Sequence, residues 1–196
     1  MTKPAERVLS ELPGEPVYSI LDGARDARIR NWVRDTRAPA WCLFRGDLPP
    51  ELEDAAPWLL RLVPGQPYVE QFFARGWQQA WGILLTCRAP SRDLRRHLRH
   101  FFLARTEDGR RLLFRYYDPR VLRIYLPTCT PAELEQFFGP ISAMAAEGAE
   151  PGLLHVFRRN AAGLDHRRVD LEAPKADERR VTGSSSRTRP NDAVAP

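Results

Sequence analysis

The sequence predicts an α/β or α+β domain in which a mixed sheet of five or more short strands carries packed helices, followed by a flexible tail. Three observations lead there. Short aliphatic and aromatic runs are each closed by a turn signal: Val17 to Leu21 by Asp22-Gly23, Trp58 to Val63 by Pro64-Gly65. Between them lie stretches with apolar residues at helical spacing, such as Ile29, Trp32 and Val33. From Asn160 to Pro196 there is no Ile, Phe, Trp or Tyr, and Thr182-Gly183-Ser184-Ser185-Ser186-Arg187 reads as a flexible run. The division expected is a folded domain over 1–159 and a tail over 160–196.

Taken in order, Val17 to Leu21 is a first strand and Ala24 to Thr36 a helix. Trp41-Cys42-Leu43-Phe44 is a second strand, and Leu48 to Ala55 a short helical or loop segment carrying Glu51, Glu53 and Asp54. Trp58 to Val63 is a third strand. Tyr68 to Arg75 reads as a helix burying Val69, Phe72 and Phe73, with Gly76 as its stop. Trp81 to Cys87 is almost wholly apolar, which suits a central strand covered on both faces. Ser91 is placed as the cap of a helix reaching about His100, with Leu94 and Leu98 inward. Phe101 to Arg105 and Arg111 to Tyr117 flank Glu107-Asp108-Gly109, a hairpin signal. Asp118 is a good N-cap and Pro119 suits the first helical position, so a helix starts there and ends near Leu126-Pro127. Thr130-Pro131-Ala132-Glu133 is a capping box opening a helix to Phe138. Ile141 to Ala145 and Leu153 to Phe157 are further short elements of strand character.

Nine Phe, five Trp and five Tyr in 196 residues make a substantial core possible. No apolar run reaches the roughly 18 residues needed to span a bilayer, and the first residues carry no apolar signal segment. Neither export nor stable membrane insertion is expected, and the expected location is cytoplasmic. Cys42, Cys87 and Cys129 are odd in number and far apart, so they form neither a disulfide framework nor a zinc site and read as buried thiols. The four His show no metal-ligand spacing. No phosphate-binding glycine loop, dinucleotide fingerprint or nucleophile elbow is present. No catalysis, cofactor or metal is therefore expected. The formal net charge is +5, and of 30 basic residues only Lys3 and Lys175 are lysine. That balance permits nucleic-acid binding, but no zinc-finger, RNP-like or helix-turn-helix pattern accompanies it, and no nucleic-acid partner is expected.

Two features stand out as candidate sites. Arg115, Asp118 and Arg120 fall together where a strand gives way to a helix, and an Asp between two Arg can pair with either by bidentate hydrogen bonds. The plain alternative is a knot that fixes a strand-to-helix corner. Arg92, Arg95, Arg96 and Arg99 recur at helical spacing and share one face, either a solvated face or a docking surface for an acidic partner. An enzyme working at the Arg115/Asp118/Arg120 corner and a basic nucleic-acid-binding domain remain the alternative functional readings.

Several segments, in order, resemble a known family. Val17-Tyr18-Ser19-Ile20-Leu21-Asp22-Gly23-Ala24, Ala56-Pro57-Trp58-Leu59-Leu60-Arg61-Leu62, Trp81-Gly82-Ile83, His97-Leu98-Arg99 with Phe102, Phe114-Arg115-Tyr116-Tyr117-Asp118-Pro119-Arg120-Val121-Leu122 and Phe137-Phe138-Gly139-Pro140 are similar to motifs of the bacterial type VI secretion effector-adaptor (chaperone) family. That family was long catalogued as a domain of unknown function. The set spans roughly residues 17 to 145, and the F-R-Y-Y-D-P-R-V-L block carries most of its weight. Thr86-Cys87 departs from the small Ser-containing end usual in the family. The resemblance implies a non-enzymatic cytoplasmic adaptor. Its partners would be a toxin effector, held at its N-terminal region, and a VgrG-type spike protein onto which the effector is loaded. Asp22, Gly23, Arg115, Tyr117, Asp118, Pro119 and Arg120 are the motif residues, structural or binding, that it singles out.

Overall fold

The structure, a computed structural model, describes residues 4–105 and 108–173. Its framework is a seven-stranded sheet in the order β2-β3-β1-β4-β7-β8-β9. The strands are β1 (Val17–Asp22), β2 (Ala40–Cys42), β3 (Pro57–Leu62), β4 (Gly82–Cys87), β7 (Ile141–Glu147), β8 (Leu153–Asn160) and β9 (Gly163–Asp170). Every neighbouring pair is antiparallel, so the expected mixed sheet is corrected to an antiparallel one. The fold is α+β. β4 holds the middle of the sheet, as its unbroken apolar run predicts.

Both faces are covered because alternate residues of the inner strands are apolar on each side. On one face Leu21, Leu60 and Leu84 meet α1 (Pro4–Leu9), α2 (Arg28–Asp35) and α4 (Pro67–Gly76) through Val8, Ile29, Trp32 and Phe72. On the other face Tyr18, Ile20, Leu59, Ile83 and Met144 meet α5 (Ser91–Arg99), α6 (Pro119–Tyr125) and α7 (Pro131–Phe138). A short helix α3 (Pro50–Asp54) lies between β2 and β3 and buries none of its residues. A 3₁₀ turn over Leu126–Thr128 follows α6.

Several helix boundaries follow the expected chemistry, but α2 starts at Arg28 rather than Ala24, and Gly76 is the last residue of α4 rather than the stop beyond it. Thr130 and Glu133 form the reciprocal capping box at α7, and the Asp118 carboxylate accepts the Arg120 N–H at the start of α6. Ser91 does not cap α5. It is the first residue of that helix, and Pro90 precedes it without a side-chain cap.

Two expectations about the chain's second half change. The strands expected over Phe101 to Arg105 and Arg111 to Tyr117 are shorter: β5 (Leu103–Arg105) and β6 (Arg111–Leu113) form a two-stranded ribbon separate from the main sheet, and Tyr116 and Tyr117 lie in a turn before α6. The folded domain also continues past residue 159. β9 pairs with β8 along its whole length, and Val169 is buried. The polar composition of β9 hid it, since only Gly163 and Val169 of its eight residues are buried and the other face meets water. The rest of the expected tail, from residue 174, lies outside the described residues.

The β8–β9 hairpin stacks His155, Phe157 and His166, with the Phe157 and His166 ring centroids 4.4 Å apart. His155 Nδ1 and His166 Nε2 share a hydrogen bond of 2.8 Å. Burial, with His166, Arg123 and Arg168 nearby, pushes the His155 imidazole down to about 4. Its native pKa thus lies below the unfolded value of about 6.5. The unfolded chain binds the proton first, so this contribution is whole above pH 6.5 and is lost as pH falls towards 4. Allowing for the partial exposure of the ring, the loss is expected to be about 1 kcal/mol. Denaturation midpoints measured from pH 7 to pH 4 should fall more steeply in the natural chain than in His155→Gln.

Candidate functional site

The Arg115/Asp118/Arg120 elbow and the Asp22-Gly23 turn, far apart in sequence, meet at one end of the main sheet. β1 ends at Asp22, whose N–H donates to the Trp81 carbonyl at 2.7 Å, and the chain then turns sharply against the 54–56 segment. Gly23 is required there: a Cβ would sit 2.4 Å from the Ala56 carbonyl oxygen. The turn aims the Asp22 carboxylate inward, fully buried. It accepts the Ala24 N–H at 3.2 Å and two bonds from Arg115, Nε at 3.1 Å and Nη2. Burial raises the Asp22 carboxyl above its ordinary range despite the Arg115 and Ala24 hydrogen bonds, and Asp118 pushes in the same direction.

Asp118 pairs with Arg120 rather than Arg115. Its carboxylate accepts the Arg120 N–H and Nε, each at 2.9 Å, and the Arg120 Nη2 at 2.5 Å. Burial alone would raise this carboxyl. The Arg120 hydrogen bonds and the Arg120 and Arg115 charges outweigh it and hold the group below its usual range. Pro119, buried, fixes the first turn of α6. Tyr117 is buried beside the pair; burial raises its phenol well above the ordinary value, with Asp22 adding to that and Arg115 opposing it. The elbow therefore splits into two ion pairs, one tying β1 to the segment between β6 and α6 and one local to the start of α6.

Glu147, Arg25 and Arg123 also belong to this corner, and nothing in the sequence context of Glu147 or Arg123 marks them. Glu147, at the end of β7, is buried and accepts the Gln78 N–H at 2.5 Å and the Ala80 N–H at 2.7 Å. Gln78 and Ala80 both have left-handed backbone, with φ of 63° and 55°, a conformation disfavoured for residues with a Cβ. The buried carboxylate compensates by satisfying both amides. Burial raises its pKa against those two hydrogen bonds. Arg25 donates to the Gln79 carbonyl at 3.1 Å, and Arg123 of α6 donates to the Glu147 carbonyl. The end of the sheet is thus closed by carboxylates held under arginines. Only an arrangement seen in three dimensions brings them together.

Chemically, each of these carboxylates is occupied by its own donors. That arrangement binds chain segments to one another and leaves the outer faces of Arg115 and Arg120, whose side chains are 37 and 55 % exposed, towards solvent. Among the described residues no group of His, Cys, Asp and Glu is placed to hold a metal ion, and no helix is long and apolar enough to cross a membrane.

The arginine helix is less uniform than its spacing suggests. Arg92 and Arg96 are exposed, and Arg96 pairs with Asp93 at 2.8 Å. Arg95 lies 5.2 Å from the Trp41 ring and donates to the Ser91 carbonyl. Arg99 donates to the Leu43 carbonyl at 2.8 Å and the Cys42 carbonyl at 3.3 Å. Two of the four thus clamp α5 to β2 and the loop after it, and two face water.

Residues 17–136 match a family described as a domain of unknown function (DUF4123). No curated protein and no solved structure matches the chain. The matched span opens at the first residue of β1 and takes in both halves of the Asp22–Arg115 pair. Covering well over half of the chain, it shows that the protein belongs to the DUF4123 family.

Proposed function

We propose that the protein is a non-catalytic cytoplasmic adaptor of a type VI secretion system, which binds a toxin effector at its N-terminal region and helps to load it onto a VgrG-type spike. The observation that carries this reading is the ordered set of motifs, from Val17-Tyr18-Ser19-Ile20-Leu21-Asp22-Gly23-Ala24 to Phe114-Arg115-Tyr116-Tyr117-Asp118-Pro119-Arg120, lying inside the span that matches the family. The corner supports it too. Carboxylates ringed by amide and guanidinium donors are suited to holding a fold rather than to accepting a substrate proton. Loading requires later release, so the interface is transient and polar at its rim.

The test is co-expression with the toxin and spike proteins encoded beside this chain, followed by affinity pull-down and size-exclusion chromatography. A co-eluting complex with the toxin, formed without nucleic acid, is expected. Absence of a complex with either protein would overturn the reading. Charge reversal at the two exposed arginines, Arg92→Glu with Arg96→Glu, is expected to weaken toxin binding by roughly tenfold and to leave the thermal midpoint in place. Calorimetry with purified partners checks both. Arg99 is left intact because its hydrogen bonds to Cys42 and Leu43 belong to the fold.

A further inference from the structure

We infer that the β5–β6 ribbon is a docking edge that takes an extended, acidic-flanked segment of the protein partner as a third strand. The inference rests on the adaptor reading and names where and how that partner is held.

Outside the main sheet the ribbon is almost bare of covering. Leu103, Leu112 and Leu113 are 61, 50 and 49 % exposed. Leu112 and Leu113 are neighbours in a strand and point to opposite faces, so neither face of the ribbon is buried on the domain. Isolated leucines at a surface need no explanation, but here Leu103 and Leu113 lie opposite each other on one face and Leu112 is exposed on the other, so both faces of the ribbon present apolar surface to water. A two-stranded ribbon is also marginal in water on its own, and a third strand is the ordinary way to complete it.

The register says which backbone groups such a strand would meet. Leu103 faces Leu113 and Ala104 faces Leu112. The Phe114 N–H donates to the Phe102 carbonyl at 2.8 Å. Hydrogen-bonded pairs alternate in an antiparallel ladder, so 104 with 112 is the next bonded pair. The amide and carbonyl of Leu103 and of Leu113 therefore point outward, one set on each edge, and no backbone bond is made to them among the described residues. These are free template positions of the kind that strand addition uses.

Charge selects the partner. The ribbon follows α5, where Arg96 is exposed, and the chain from Leu103 to Arg115 carries Arg105, Arg110, Arg111 and Arg115 against Glu107 and Asp108. The chain leaves the ribbon into half-exposed Arg115. An apolar strand set among arginines fits an extended segment with alternating apolar residues and acidic flanks, and disfavours a basic one.

The natural experiment removes one outward amide at a time. Proline is tolerated at an edge position whose N–H faces solvent, so Leu103→Pro and Leu113→Pro each delete a template donor without touching the 102–114 or 104–112 bonds. Both variants and the natural chain, full length, are titrated by fluorescence anisotropy with short overlapping peptides from the toxin's N-terminal region and with the whole toxin. Circular dichroism confirms the fold, and light scattering gives the oligomeric state. The expected result is a loss of roughly tenfold or more in affinity in one of the two variants, which also identifies the edge used, with binding in the natural chain weakening as salt rises. Unchanged affinity in both variants overturns the ribbon while the adaptor reading stands. No toxin binding by the natural chain overturns the adaptor reading itself. A dimer of the natural chain that either proline dissolves, or ribbon-dependent binding to anionic lipid vesicles without toxin binding, overturns the proposal in favour of self-association or a membrane surface.

Discussion

Tyr116→Ala is expected to destabilise the domain by about 4 kcal/mol, in the range for truncating a buried aromatic ring. Tyr116 is fully buried. Its ring stacks on Phe102 at 5.8 Å between centroids and meets Phe137 at 5.3 Å, Phe114 at 5.8 Å and Tyr117 at 5.6 Å. These neighbours come from the base of the ribbon, from α7 and from the elbow, so one cavity would loosen all of them. The hydroxyl is a lesser part of the effect. It donates to the Leu98 carbonyl at 2.9 Å, an oxygen that also accepts the Phe101 N–H. Tyr116→Phe thus leaves no orphaned carbonyl and is expected to cost about 1 kcal/mol. Urea denaturation of the two variants beside the natural chain separates ring from hydroxyl. Near-equal losses would show that the hydrogen bond, not the ring packing, holds this cluster.

The same cluster shows how far sequence reasoning reaches. Phe114 to Asp118 stands out in the sequence as a strand giving way to a helix at a polar corner, and the helix start is as expected because Asp118 and Pro119 act locally. Local chemistry likewise foretells the α7 capping box, the buried stripes of α2 and α4, and the central place of β4. What the sequence conceals is non-local. Asp22 and Arg115 are 93 residues apart, and each has a nearer plausible partner, so only the fold decides the pairing. Glu147 lies beyond the element expected over Ile141 to Ala145, and only the fold shows the left-handed Gln78 and Ala80 amides converging on it. The arginine helix fails differently. Helical spacing places Arg95 and Arg99 correctly on the face but cannot show that Trp41 and the Leu43 carbonyl lie beneath them. β9 escapes because an edge strand with one wet face carries little apolar signal.

The Asp22–Arg115 pair carries the last large effect, and its two halves are not equivalent. The Asp22 side chain is 1 % exposed and the Arg115 side chain 37 %. Removing the arginine strands a buried carboxylate; removing the acid releases a guanidinium that water can already reach. Arg115→Met is therefore expected to destabilise by about 3 kcal/mol at pH 7, and Asp22→Asn, which keeps an acceptor oxygen for Arg115, by about 1 kcal/mol. The pH dependence follows from the sign of the Asp22 shift. Burial already raises this carboxyl above its unfolded value, and loss of Arg115 raises it further. The native Arg115→Met chain then holds a proton that the unfolded chain releases, so its stability falls as pH rises above the unfolded carboxyl value of about 4. Its deficit against the natural chain should shrink on acidification, while that of Asp22→Asn, which has no carboxyl to titrate, should show no such recovery. Denaturation curves of the three chains at pH 5 and pH 7 decide it. Equal and pH-independent losses would mean that water reaches Asp22 and that the pair is an ordinary surface contact. The predicted asymmetry would mark it as the buried bond that closes the domain where β1 meets the segment before α6.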